Sequence, residues 1–321
     1  MTSKSFALAA AVAIVLLLLP FVMEGAYIRH LFIVAFLFAI VAASWDLTLG
    51  YTGLFNFGHI AFFGLGVYTA GILTTGLHVN PWIAIPAGGG VAAIAAALVA
   101  GPTLRLRGIY VVLVTFAFSQ LCLQIVLSQG DITGGAGGIV SVPSLRLGDY
   151  NFARDQRFGY YYVSLILCLI CTAALFAIAR SRLGKAARAV RDNPEYAAAR
   201  GINQTGIRLT MLVISAVPAG VSGALYCIYF RVAGPDAFSF STSTLILTML
   251  LVGGVASIIG PAIAAIGIVM ISEYLEQFPN LQATKHMLLA VGIILVLRFS
   301  PGGIAQLYSN ILKRPVSTPK A

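Results

Sequence analysis

The chain has 321 residues, 59% hydrophobic and 9% charged, with a formal net charge of +10 and a mean hydropathy of +0.94. Soluble domains carry about 25% charged residues, which excludes a soluble globular enzyme and indicates a lipid-embedded chain. The basic excess does not read as a nucleic-acid surface: the basic residues stand at the ends of apolar runs, not among aromatics on a polar face.

A bilayer core needs about 20 apolar residues per helix. Ten runs are expected to cross: residues 6–23, 31–49, 60–77, 82–104, 109–127, 159–179, 207–230, 244–259, 261–275 and 287–299. Lys4 precedes the first run as it would in a secretory signal, but no A-x-A-like cleavage site follows Met23, so a retained helix is expected. The loop after the sixth run carries Arg180, Arg182, Lys185, Arg188, Arg191, Arg200 and Arg208 against Asp192 and Glu195, and the tail adds Lys313, Arg314 and Lys320. Basic loops stay cytoplasmic, which puts both termini and residues Arg105 and Arg107 inside. Residues 129–158, with acids and bases balanced, then lie outside. The expected fold class is therefore all-α and polytopic, with about ten transmembrane helices. It forms one membrane domain over 1–321, with a cytoplasmic loop at 181–207 and an extracytoplasmic loop at 129–158.

Cys122, Cys168, Cys171 and Cys227 all fall in apolar runs. The C-x-x-C of Cys168 and Cys171 lacks the polar setting of a redox or zinc site and reads as small apolar packing. His59 has no second ligand at useful spacing, so no metal site is expected. No G-x-x-x-x-G-K-[ST] occurs, and any ATP-driven step belongs to another polypeptide.

The central loop, SRLGKAARAVRDNPEYAAARGINQTGIR, holds most of the chain's local punctuation. Leu183 to Arg191 is rich in helix formers, with Lys185, Arg188 and Arg191 along one side. A second helix of about two turns starts afresh: Asn193 suits the N-cap, Pro194 the first helical position, Glu195 the positive helix start, and Gly201 a left-handed C-terminal cap. Two readings are open on this spacing, an amphipathic loop helix lying on anionic lipid or a rigid peg seated in a cytoplasmic motor.

Four further features concern the interior of the spans. Gly50, Gly53, Gly58, Gly64 and Gly66 crowd the stretch holding Tyr51, Thr52, Asn56 and His59. This suits either an irregular backbone lining a cavity or close helix packing. Thr115, Gln120 and Gln124 put polar groups in the fifth run and are candidate pathway residues. Ser215, Ala219 and Gly223 form a small-x-x-x-small stripe suited to packing within the chain or against a second membrane subunit. Asp46 and Glu273, near the ends of their runs, are within reach of an interface. So few acids inside the spans argue against a proton- or sodium-coupled carrier.

Glu195 to Gly201, E-Y-A-A-A-R-G, resembles the E-A-A-x-x-x-G loop of ATP-binding-cassette (ABC) importer permeases, with Tyr196 replacing the first Ala and the downstream proline displaced to Pro218. LGYTGLFNFGHIAFFGLGVYTAG, LRLRGIYVVLVTFAF, TGGAGGI, GGVASIIGPAIAA and RFSPGGI together resemble the M-type permease of branched-chain amino acid ABC importers, over roughly 31–304. Departures are Ile109 where an acid is usual, Gln120 where Glu often stands, and Gly137 where Asn or Asp is common. The resemblance implies a second homologous permease, two cytoplasmic ATPases that bind ATP and Mg, an extracytoplasmic binding protein, and a bacterial inner-membrane location. It also implies ATPase coupling through Lys185, Arg188, Arg191, Asp192, Glu195, Ala197 and Gly201. Tyr51, Thr52, Asn56, His59, Thr115, Gln120 and Gln124 are the candidate pathway. Related permeases take urea, short amides or other amino acids, and an autonomous secondary transporter or a channel is the rival from another class.

Overall fold

The computed structural model describes residues 16–20, 25–103, 106, 108–148, 150–153, 157–276 and 303, with side chains excluded at 273–276. Among the described residues, six helices are long and apolar enough to cross a membrane. They are α1 (Ala26–Thr52), α2 (His59–Gly71, continued as a π-helix over Ile72–Gly76), α3 (Pro81–Thr103), α4 (Ile109–Ser128), α5 (Phe158–Arg180) and α8 (Gln204–Phe230). Between α5 and α8 lie α6 (Arg182–Asp192) and α7 (Pro194–Ala199); after α8 come α9 (Phe240–Gly253) and α10 (Ile259–Glu276). Expected runs two to seven thus coincide with helices to within five residues at each end. The first run lies mostly, and the tenth wholly, outside the described residues.

The expected crossing at 244–259 is corrected. Its helix starts earlier, at Phe240, where the Ser239 hydroxyl accepts the Thr242 amide at 3.1 Å, and stops at Gly253. Gly254 takes φ 98, and Gly253 and Gly260 approach so closely that a Cβ on either would strike the other's backbone. Hydropathy runs on through this break, but the backbone does not. Fourteen residues span about 21 Å, short of a bilayer core of roughly 30 Å. The turn 254–258 holds Ala256 and Ile258 at φ 64 and 53, a region that costs an L residue about 1–3 kcal/mol.

Helix α1 is the axis of the fold. Its most apolar window is 89% buried, whereas those of α4 and α5 are 28% buried and so form the rim. Aromatic contacts fasten it on one side, with Phe36 edge-on to Tyr161 of α5 at 5.5 Å. On another side, the Ser222 hydroxyl of α8 donates to Leu37 O at 2.7 Å.

Glycines set the tightest crossing. A Cβ on Gly66 of α2 would lie on the Gly220 backbone of α8, one on Gly223 would meet the Phe63 carbonyl, and one on Gly220 would meet Gly88 of α3. Ser215 and Ala219 are also fully buried. The stripe therefore packs inside the chain, and Gly220, which the every-fourth-residue pattern passes over, is as tightly approached as Gly223.

At one end of the bundle, the glycine-rich segment runs through single helical turns into β1 (Ile139–Val140), which pairs antiparallel with β4 (Val232–Ala233) just beyond α8. A second pair, β2 (Arg146–Leu147) with β3 (Tyr150–Asn151), covers the same end. The 53–58 segment and the α6–α7 loop close the other.

Candidate coupling face and translocation path

The loop helices form as their caps dictate. The Ser181 hydroxyl accepts the Leu183 amide at 3.2 Å and opens α6; Asn193 Oδ1 accepts the Tyr196 amide at 2.9 Å and opens α7, with Pro194 first in the helix. Gly201 takes φ 78, and the Ile202 amide returns to Ala197 O at 3.0 Å. Asn193→Ala should cost about 1 kcal/mol. Faster amide exchange confined to 194–199 in the purified protein would report it; unchanged exchange there would refute the capping role.

Ala197 is buried and anchors α7, whereas Lys185, Asp192, Glu195 and Gly201 are exposed. The Arg188 guanidinium lies 5.4 Å from the Tyr51 ring centroid and donates to Ala179 O at 3.3 Å. Arg191 pairs with Asp192 at 2.8 Å and donates to Gly50 O at the end of α1. Gln204 Nε2 closes the loop on Pro194 O at 2.6 Å. A cleft of about 700 Å³ opens beside this face, lined by Asp192, Glu195, Gln204 and Arg208 together with Leu54 and Phe55.

The glycines serve both readings: residues 53–58 are irregular, while Gly66 lies against the Gly220 backbone of α8. Gly53 ends α1 at φ 68. His59 then stacks on Trp45, ring centroids 5.4 Å apart, and meets Ser44 Oγ through Nε2 at 2.9 Å. Trp45 lies seven residues before Thr52, so this segment climbs back along α1 by about 10 Å. Non-helical backbone at that depth requires protein or water around it. Its contacts are internal: the Phe57 amide donates to Thr115 Oγ1 at 3.1 Å and the Gly58 amide to Asn56 Oδ1 at 2.9 Å.

Asn56, His59 and Thr115 are brought together here, all fully buried. Tyr51 and Thr52 lie lower, Tyr51 under Arg188 and Thr52 donating to Thr48 O at 2.6 Å. Gln120 is half-buried and Gln124 exposed. They stand roughly 140° and 180° around α4 from Thr115, so neither glutamine shares its face.

Ser44 Oγ donates to Val41 O at 2.8 Å and so accepts from His59 Nε2, placing the proton of a neutral ring on Nε2. His59 Nδ1 is then an acceptor, and it is buried without a partner; Asn56 Nδ2 and Trp45 Nε1 are buried donors in the same condition. Buried polar atoms of this kind mark sites for water or a solute. Trp45 and Ser44 had no local signal beyond their place in an apolar run. Thr115→Val would strand the Phe57 amide and should cost about 1–3 kcal/mol, read as lower thermal stability in detergent; an unchanged melting point would argue that the amide finds another acceptor.

Asp46 departs from the expected interfacial setting. It is fully buried, with Oδ1 accepting the Ala256 amide at 2.7 Å and Oδ2 accepting the Ser257 and Ile258 amides, each at 2.9 Å. Its donors arrive from more than two hundred residues away, which no local pattern displays. The side chain of Glu273 lies outside the described residues.

Among curated proteins, the high-affinity branched-chain amino acid transport system permease protein LivM of Salmonella typhimurium is 27% identical over 300 residues, covering 86% of this chain and 69% of that one. LivH of Escherichia coli is 26% identical over 284 residues, covering 83% and 90%. A probable branched-chain amino acid transport permease protein LivM of Methanocaldococcus jannaschii is 23% identical over 332 residues, covering 88% and 92%. No solved structure matches the chain. Residues 27–297 match the family described as branched-chain amino acid transport system / permease component. That match runs from the start of α1 past the end of α10, and the chain, a multi-pass helical membrane protein, belongs to this family.

Proposed function

We propose that this chain is one of two homologous permease subunits of an ABC importer for branched-chain amino acids, forming half of the translocation path in a bacterial inner membrane. Two cytoplasmic ATPases bind ATP and Mg, and an extracytoplasmic protein delivers the substrate. The observation that carries this reading is the α6–α7 loop: a capped, charged, exposed helix pair, pinned through Arg191 and Arg188 to the end of the central helix. A lipid-lying helix would need no such attachment.

ATPase closure pushes this loop through Lys185, Arg188, Arg191, Asp192 and Glu195, and Gly201 sets its exit angle. The push reaches α1 and tilts the helices around the polar group of Asn56, His59 and Thr115, where the unpartnered atoms supply donors and an acceptor to a zwitterion or its water. In this reading 1–321 is one permease domain in which 129–158 faces outward and 181–207 faces the ATPases.

The test is a gentle pull-down of tagged chain from native cells, with mass spectrometry and uptake in liposomes. A homologous permease, ATPases and ATP-dependent leucine uptake are expected. Uptake by this chain alone without ATP would make it a secondary carrier, and uptake of urea or amides in place of leucine would reassign the substrate.

A further inference from the structure

The buried carboxylate of Asp46 and the turn it holds have no part in the mechanism above. All three partners of that carboxylate are amide donors, so it acts purely as an acceptor. They belong to Ala256, Ser257 and Ile258, the turn just before α10, where the helix dipole favours a negative group. Asp46 thus holds the turn that leads into α10 from another helix, while the Gly260 amide inside α10 is capped by Ser257 Oγ at 3.0 Å.

The turn is also strained. Ala256 and Ile258 both have positive φ, and Ile is β-branched. A conformation that residues avoid persists when its surroundings impose it, and such strain collects at switch regions. Gly50, one turn beyond Asp46, leaves the space the turn occupies: a Cβ there would meet both Asp46 Oδ1 and the Ala256 amide.

The same turn of α1 is gripped from the cytoplasmic loop. Arg191 donates to Gly50 O, its aliphatic stem lies against Gly53, and Arg188 covers Tyr51. One short length of helix, 46–53, is therefore held on one side by α6 and on the other holds the α9–α10 turn.

We propose that Asp46 is a positioning residue that makes the 254–258 turn and the start of α10 follow the ATPase-docking helix α6. When α6 moves, the end of α1 moves with it through Gly50 and Tyr51. The carboxylate carries the turn along, and its strain favours a second arrangement once that grip loosens. This rests on the importer reading.

Asp46→Asn places an amide NH2 against donor amides at one of the two oxygen positions while keeping size. In the complete importer reconstituted with its binding protein, basal ATP hydrolysis should persist, while amino acid moved per ATP falls about tenfold, a coupling loss of the usual size. A purely structural role would lower the yield of complex and leave that ratio unchanged. An unchanged ratio in the assembled variant overturns the proposal.

If the variant does not assemble, spin labels on Arg182→Cys and Val255→Cys, both exposed sites, decide the matter with Asp46 intact. Their separation should stay constant between nucleotide-free and ATP-trapped complexes; a changing separation sinks the idea. Absence of ATP-dependent uptake in the unsubstituted complex would instead defeat the importer reading, so the two failures are told apart.

Discussion

Gly66→Val should remove most folded protein from the membrane. At this crossing α2 and α8 touch backbone to backbone, and the new Cβ would fall on the Gly220 carbonyl and Cα. Overpacking of a core costs about 1–3 kcal/mol, occasionally more. Here the obstructing atoms are main chain and cannot rotate away, so about 3 kcal/mol or more is expected, a large share of a typical stability of roughly 5–15 kcal/mol. Fluorescence size-exclusion of a tagged chain should lose its monodisperse peak. Gly90→Val, where nothing lies within 4 Å of the new Cβ, should keep it. Equal yields of the two variants would show that the α2–α8 contact is looser than described.

Gly201→Val should leave insertion intact and cut uptake. The added side chain meets open space, so the cost is not a clash. It comes from φ 78, which a β-branched residue avoids; about 1–2 kcal/mol shifts the loop's docked population by roughly tenfold. Gly201→Asn, which tolerates the left-handed region, should retain most transport. Measuring ATP-dependent uptake against membrane level separates the cases: normal uptake by the valine variant, or equal loss by both, would remove Gly201 from coupling.

The α6–α7 loop was the most legible part of the chain because its signals are local. Asn193, Pro194 and Gly201 act within four residues of themselves, through one side-chain acceptor, one fixed φ and one permitted positive φ. The long crossings were legible for a related reason, since residues 26–128 and 158–230 are apolar runs separated by polar or glycine-rich breaks.

What was hidden is tertiary. The 244–259 run reads as one crossing because Val255, Ile258 and Ile259 are apolar, yet Gly253 and Gly254 stop the helix and Asp46 binds the amides beyond them. Asp46 itself looked interfacial because its partners are backbone groups far along the chain. In the candidate path the glycines announced an irregular segment and Asn56, His59 and Thr115 meet there, but Gln120 and Gln124 turn away from Thr115 because α4 rotates each residue by about 100°. The aromatic floor formed by Trp45 under His59 depends on α1 and the 53–58 segment running side by side, which residue spacing does not encode.

Helix α8 has 27 residues and is about 40 Å long, more than the roughly 30 Å of a hydrocarbon layer. Its last turn leads into β4, which is stitched to the glycine-rich β1; its first turn emerges from the α6–α7 loop, where Asn203 caps it. The two ends of the bundle therefore share one mechanical member, like a push-rod with a fitting at each end. Pro218, near its middle, denies the Ile214 carbonyl its usual amide. A load on the β1–β4 end would reach the α6–α7 loop along a shaft with one built-in flexure, and bending there would change how far a stroke at one end is delivered to the other.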